Sequence, residues 1–427
     1  MRVIMLATCL FFGINSEVAL GAPSLDGVWQ SDGYGFVLEI DGETARLFSS
    51  GVGMCIPETD TMVPIADLLP GAEFEASGDG QRINIRFALE PHRISARRRP
   101  SLPSVCMTKQ PIDAVTVFNT FVEYFEGSYP FFSLYDVDWP SRVAEARTRV
   151  HFTMSDQALF EELSWLIAPI QDGHVALVAE VDGHREIAFP GRARVLQDLR
   201  DIAQAAGEDP ESATRAFRHA LWYQSIPEDI LHNRGQIAGN ERIQYGMLTD
   251  DVGYLALLAM DGFGSGPVTP SENLALTQSL LDDIMKYFAS RGTRSIVLDL
   301  SLNFGGSDYI AREIASRFLN QPVLAYSKFA GDADKPIVTP VSIEPSAGVS
   351  FDGDVILLTS QATVSAAEVL TLSLRSQSHV THIGEATRGA LSDGFSRSLP
   401  NGWQLSLSNE VYLDSEGHHW EAAGIPP

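Results

Sequence analysis

Between residues 252 and 375, short apolar runs alternate with longer amphipathic stretches, and this alternation constrains the fold more than any other feature of the chain. "VGYLALLAM" (252–260), "SIVLDLSL" (295–302) and "VILLT" (355–359) are apolar without period-two alternation, which suits strands buried on both faces. Between the first two lies "TPSE" (Thr269–Glu272), a capping box with proline at the first helical position. It opens a helix that turns Leu280, Leu281, Ile284, Tyr287 and Phe288 inward and stops at Gly292. "NFGGSDY" is a glycine turn into another helix, and "TVSAAEVLTL" (363–372) opens a further one directly after "VILLT". Strand–helix alternation of this kind predicts a largely parallel sheet with right-handed crossovers.

The rest of the chain reads differently. Residues 1–22 have the form of a secretory signal: Arg2, an apolar stretch too short to span a bilayer well, and small residues near "ALGA". Residues 23–110 are strand-like runs separated by "DGYG" and "DGET" turns, which predicts a small all-β barrel or sandwich. Residues 111–180 are helical. Phe118, Phe121, Val122 and Phe125 share one face, and Ser155 caps a second helix with Leu159, Phe160, Leu163, Leu166 and Ile167 as its apolar stripe. Residues 181–244 read as a mostly helical, polar insert, and 245–427 as the α/β core. "WQLSLSNEVYL" near the end reads as a β-ribbon. The expectation is an α+β multidomain chain.

Composition narrows the function classes. The 427 residues carry 55 Asp and Glu against 30 Lys and Arg, a formal net charge of −25. Such a chain repels phosphate backbones, so nucleic acid is not an expected partner. Its one basic cluster, "RISARRRP" (93–100), reads as a solvated strand end. No second apolar segment is long enough to cross a membrane, so the mature chain is expected to be exported and soluble, periplasmic or secreted. Once Cys9 leaves with the signal, Cys55 and Cys106 remain, and an oxidising compartment favours their pairing. Closing that loop stabilises a domain by about 4 kcal/mol in the chain-entropy view.

In a parallel α/β sheet, sites gather where strands end and helices begin. Ser365 stands at such a junction, where helix N–H groups point outward and favour negative charge. A serine there can attack a carbonyl while the Ala366 amide donates to the developing oxyanion. Gly305 and Gly306, at a second junction, leave amides unshielded, and one of them could supply the other donor. Taken singly, Ser365 is also an ordinary helix N-cap and "NFGG" an ordinary tight turn.

Taken together, "VLDLSLNFGGSDYIAREIASRFL", "VILLTSQATVSAAEVLTLSL", "IGEATRGALSDGFSRSLPNGWQLSLSN" and the ending "GHHWEAAGIPP" resemble the C-terminal processing and tricorn-core group of serine peptidases. The resemblance covers residues 245–427, extends more weakly to "FEGSYPFFSLYDVDWPSRV" and "IAPIQDGHVAL", and does not reach 24–110. It implies a core of the ClpP/crotonase type, Ser365 as nucleophile, and an oxyanion hole built from Gly305 or Gly306 with Ala366. Many members place a lysine directly after the Gly-x-x-Thr-x-Gly motif, but here that residue is Ala390. The tricorn-like branch uses an upstream histidine and a late glutamate, which map onto His174 and Glu421. The serine that precedes the histidine in that branch is Gly173 here. Glu368, one turn beyond Ser365, is expected to hold the corner structurally.

A second "DGH", at Asp182 to His184, reads as a hairpin turn, and His418 and His419 are fallback bases. The resemblance implies an exported serine endopeptidase that acts on a peptide or protein through an acyl-enzyme, with no cofactor and no metal. The alternatives are a non-catalytic protein that binds a peptide or hydrophobic ligand on the same scaffold, and an esterase. No PDZ-like module is read in the insert.

Overall fold

The structure is a computed structural model, described here over residues 24–51, 53–108, 111–331 and 336–427. The signal-like segment 1–22 lies outside the described residues. The described residues form a mixed α/β molecule with four sheets.

Eight short strands between Gly27 and Arg99 form one antiparallel sheet, running from Cys55–Pro57 at one edge to Ala72–Ala76 at the other. Alternation places Trp29, Leu38, Ile40, Ile83, Ile85 and Ala96 on its apolar side. Cys55 and Cys106 are joined by a disulfide, as the exported reading expected. The arginines of the basic cluster are spent locally: Arg97 pairs with Asp32, and Arg98 lies 4.2 Å over the Trp29 ring.

Helices Ala114–Ser128, Trp139–Arg147 and Asp156–Ile167 follow. Asp113 caps the first, with its carboxylate accepting from Thr116 N–H at 2.9 Å, and Ser155 caps the third. Their apolar faces, Phe118, Phe121 and Phe125 on one and Leu159, Leu163 and Leu166 on another, pack in one cluster with Leu177, Leu405 and Leu407. Those leucines come from a second sheet, made of two hairpins: Ala176–Val181 with His184–Ala188, and Gly394–Ser398 with Gln404–Ser408. Strands Ala176–Val181 and Gln404–Ser408 pair across the seam, so the loop before residue 176 lies beside the loop before residue 394. Asp182 and Gly183, both at positive φ, turn the first hairpin as "DGH" suggested, and His184 points away exposed.

The insert contributes helices Arg194–Ala205 and Pro210–Ala220 and a wide helical turn, Leu221–Ile230. The third sheet has six strands. Its four strands Val252–Leu257, Ser295–Asp299, Asp354–Thr359 and Val380–Gly384 are parallel, and Ile243–Met247 and Gln236–Ala238 extend it antiparallel. Helices Pro270–Ala289, Asp308–Ser316 and Ala366–Arg375 bury Leu281, Ile314 and Leu370 against it. Thr269 and Glu272 form the expected capping box.

The closing "WQLSLSNEVYL" is not one ribbon. Gln404–Ser408 belongs to the two-hairpin sheet, whereas Glu410–Leu413 pairs with Val323–Ala330 in a three-stranded sheet. A ribbon requires a reversal, and no turn sequence separates the two halves. Asn409 instead carries the chain across, its carbonyl accepting from Gly331 N–H at 2.7 Å.

Candidate active site

Strand Asp354–Thr359 runs out at its C-terminal end into Ser360–Val364, and Ser365 begins the helix. Thr363 fixes this turn by donating its hydroxyl to the Leu300 carbonyl at 2.7 Å. Ser365 then sits at φ +60°, ψ −126°, far from the extended conformation of an ordinary N-cap. Its hydroxyl makes no cap hydrogen bond. Glu368 N–H donates to the Ser365 carbonyl at 2.7 Å, and Ser365 N–H donates to Glu368 Oε2 at 3.0 Å. A non-glycine residue at positive φ costs energy that its surroundings must hold in place. Here they hold a half-buried serine hydroxyl out from a strand–helix corner.

The turn Asn303–Gly306 lies against this corner. A methyl group built on Gly305, at φ +79°, would fall 2.7 Å from Ser365 Cβ and 3.2 Å from the Ala366 nitrogen. Only glycine permits that approach. Gly305 N–H is already committed to Asn303 Oδ1 at 2.9 Å, and the Gly305 carbonyl accepts from Met260 N–H. Among the described residues, the amides of Gly306 and Ala366 are left without an acceptor. Of the two glycines, Gly306 is therefore the one with a donor to offer.

Glu368 is fully buried and accepts four hydrogen bonds. Oε2 takes Ser365 N–H and Ala390 N–H, at 3.0 and 2.9 Å, and Oε1 takes Gly389 N–H and the Thr387 hydroxyl, at 2.7 and 2.6 Å. Burial raises its pKa, and these four donors oppose the rise. The carboxylate thus bolts the Ser365 corner to the 387–390 segment.

That segment draws the other candidates in. Ser365 N–H also reaches the Ala390 carbonyl at 3.0 Å. A methyl group built on Gly173 would fall 2.9 Å from Ala390 Cβ and 3.7 Å from Val364 Cγ2, so the loop carrying His174 packs directly on the residues flanking Ser365. The His174 ring lies against Gly394, and its Nδ1 is buried with no hydrogen-bond partner. Its backbone is held by Asp172, which accepts from His174 N–H at 2.8 Å and from the Tyr129 hydroxyl at 3.0 Å.

Glu421 arrives because the last residues zip onto the same segment: Ala422 N–H donates to the Gly389 carbonyl, and Ile425 N–H to the Thr387 hydroxyl. Glu421 Oε2 accepts from Leu391 and Ser392 N–H at 3.0 and 3.2 Å, while Oε1 is buried and unpartnered. Burial, reinforced by Asp172 and Glu368, pushes its pKa well above the usual carboxylate range. No hydrogen bond joins it to His174. His418 and His419 lie exposed on the turn after Asp414, with His418 Nδ1 3.5 Å from Asp414, and do not enter the site.

Asp393 escaped the sequence reading. It immediately precedes the glycine that contacts His174, and it accepts from the buried Lys328 Nζ at 3.0 Å. Desolvation pushes it up, although half its side-chain surface still meets solvent; Lys328, and His174 beyond it, bring its pKa below the ordinary carboxylate range. A charged carboxylate beside the imidazole is therefore Asp393, while Glu421 is the one held toward its neutral form. The signal for it was present in "LSDG", directly behind the Gly-x-x-Thr-x-Gly motif, but nothing local marks an aspartate in a turn as anything but a turn residue. No cluster of three metal-binding side chains is found among the described residues.

Three comparisons bear on this geometry. Residues 251–427 match the family model described as "Peptidase family S41". A "Probable CtpA-like serine protease" from Staphylococcus haemolyticus (strain JCSC1435) is 29% identical over 136 residues, which is 32% of this chain and 27% of that protein. The chain thus spans about a quarter of the length of the curated relative it matches. Among solved structures, a "putative peptidase" from Parabacteroides merdae ATCC 43184 is 25% identical with a TM-score of 0.57, covering 74% of this chain and 89% of that one. Mature CPAF complexed with lactacystin shares the fold at 13% identity and a TM-score of 0.52, over 74% of this chain and 93% of that one.

Proposed function

Taking residues 251–427 as a member of peptidase family S41, we propose that the chain is an exported serine endopeptidase with a core of the ClpP/crotonase type. The observation that carries this reading is the corner at Ser365: a half-buried hydroxyl at φ +60°, with the Ala366 amide next to it, the Gly306 amide on the adjoining turn, and no acceptor for either among the described residues. Ser365 Oγ attacks the peptide carbonyl. The Ala366 and Gly306 N–H groups receive the oxyanion, where each such donor is worth about 10²–10³ in rate.

His174 takes the serine proton and returns it to the leaving amine, and water then releases the acyl group from Ser365. Nδ1 of His174 lacks a partner, and Asp393, next to the glycine that lies against the ring, places negative charge nearby. Glu421 is the second acid of the site. It organises the Leu391 and Ser392 amides and keeps one oxygen free toward the interior. Ala390 stands where a lysine would act, and it is pressed against Gly173, so the histidine loop fills that space.

Export is supported by the Cys55–Cys106 disulfide, which persists in a periplasmic or extracellular setting and not in a reducing cytosol. No helix among the described residues is long and apolar enough to cross a membrane. The substrate is a peptide or protein.

The test is cleavage of a casein-derived peptide mixture by the full chain, read by mass spectrometry. Ser365→Ala and His174→Ala are each expected to lower the rate by at least about 10³. Unchanged cleavage in Ser365→Ala would remove the serine from the chemistry.

A further inference from the structure

A cavity of about 330 Å³ opens beside the site. Three of its wall residues neighbour the proposed machinery: Gly173 precedes His174, Val364 precedes Ser365, and Phe304 lies between Asn303 and Gly305. The opposite wall is built by the insert, with Phe189 and Leu196 supplying apolar surface.

Set into these apolar walls are four guanidinium groups and one carboxylate, Glu211. Two of the four are spoken for. Arg200 is ion-paired with Glu211. Arg388 donates to the carbonyls of Gly191 and Gln171, tying the 387–390 segment to the histidine loop and the start of the insert. The other two are not. Arg192 donates to the Phe189 carbonyl at 3.0 Å and lies 5.3 Å over the ring of the same residue, with Glu211 shared with Arg200 as its nearby carboxylate. Among the described residues Arg218 makes no hydrogen bond or ion pair, and it lies 3.9 Å over the Phe304 ring. Both are half-buried, and burial moves the pKa of each downward. A guanidinium stays charged in any such setting and is costly to bury without an acceptor. In a chain with 55 acidic residues, these two arginines in one cleft have no carboxylate in ion-pair contact among the described residues.

We infer that this cavity is a substrate subsite that takes a carboxylate carried on an apolar arm, with Arg218 and Arg192 as its partners. The inference rests on the peptidase reading for the cavity's use, but the binding it describes can be measured apart from catalysis. The methylene arm lies along Phe189, Leu196 and Phe304, and the carboxylate meets the fork of Arg218, a geometry that arginine satisfies bidentately. A glutamate or aspartate side chain offers this chemistry, and so does a free C-terminal carboxylate.

The test uses the full chain with Ser365→Ala, so that no turnover occurs, and fluorescence anisotropy. The ligands are an amidated, labelled octapeptide of neutral residues, the same peptide with one glutamate at each position in turn, and the neutral peptide with a free C-terminal acid. At least one acidic ligand is expected to bind about tenfold or more tighter than the neutral amide, with the advantage shrinking as salt rises. A preferred glutamate identifies a side-chain carboxylate; a preferred free acid identifies the chain terminus. In the Ser365→Ala background, Arg218→Gln is expected to abolish the advantage, Arg218→Lys to retain part of it, and Arg192→Gln to weaken it independently. Equal affinity for all the peptides, no binding to any, or an advantage untouched by both arginine substitutions would overturn the inference. A carboxylate preference in a chain that cleaves no peptide would leave the subsite standing and remove the peptidase reading.

Discussion

Glu368 Oε2 lies 3.0 Å from the Ser365 backbone nitrogen and 2.9 Å from that of Ala390, so one buried carboxylate ties the proposed nucleophile to the segment that meets both the His174 loop and the Glu421 segment. Replacing it with glutamine removes one acceptor oxygen and turns an N–H₂ group toward backbone donors. Glu368→Gln is expected to lose about 3–5 kcal/mol of stability, as when one partner of a buried charged network is removed. Urea unfolding checks this. A loss under 1 kcal/mol would show that the four hydrogen bonds do not hold the corner.

Gly305 is the point of closest approach between the two junctions. An alanine there places a methyl group 2.7 Å from both Ser365 Cβ and the Val364 carbonyl, at a φ of +79° that disfavours any side chain. Gly305→Ala is expected to slow peptide cleavage by about 10² or more, because it displaces the nucleophile from its oxyanion donors. Cleavage kinetics within a factor of two of wild type would contradict the packing described.

Gly173 and Ala390 form a size-matched pair. A serine at 173 brings its Cβ to 2.9 Å from Ala390 Cβ, and overpacking of this kind costs about 1–3 kcal/mol. Gly173→Ser is expected to lower the melting temperature, and Gly173→Ser with Ala390→Gly to recover most of the loss. A double-mutant cycle with no coupling would separate the two positions.

His382 packs beside Thr359, its Nε2 2.7 Å from the Thr359 hydroxyl. Burial, then Arg375, pulls its pKa down to about 4. The unfolded chain, near 6.5, binds the proton more readily, so stability rises with pH across this window. The contribution is fully present above about pH 6.5 and is lost as pH falls toward 4. Between pH 7.5 and pH 5 the melting temperature of wild type should drop a few degrees further than that of His382→Gln. Parallel curves would mean that the histidine does not titrate between the two states.

Much of this was legible in the residues because it is local. The capping box at Thr269, the apolar stripes of helices 114–128 and 156–167 and the Asp182–Gly183 turn each follow from spacing over a few positions. Ser365 was legible because a strand–helix junction is itself a local pattern. What escaped depends on contacts across hundreds of residues. Asp393 gains its significance only when Lys328 and His174 arrive from elsewhere, and Arg218 only when Phe304 slides beneath it. Spacing could not choose between Gly305 and Gly306, because the choice depends on a side-chain acceptor, Asn303 Oδ1. The split of "WQLSLSNEVYL" is of the same kind: the run is extended as it reads, but which sheet each half joins is decided by distant partners.

The account stands on Ser365 being a nucleophile that His174 activates, and a fluorophosphonate probe on the full chain measures this most directly, with the adduct located by peptide mapping. The predicted result is one adduct, on Ser365, absent in Ser365→Ala and formed at least about 10³ times more slowly in His174→Ala. A wild-type chain that stays unlabelled while a control hydrolase reacts, or an adduct on another residue, would contradict it.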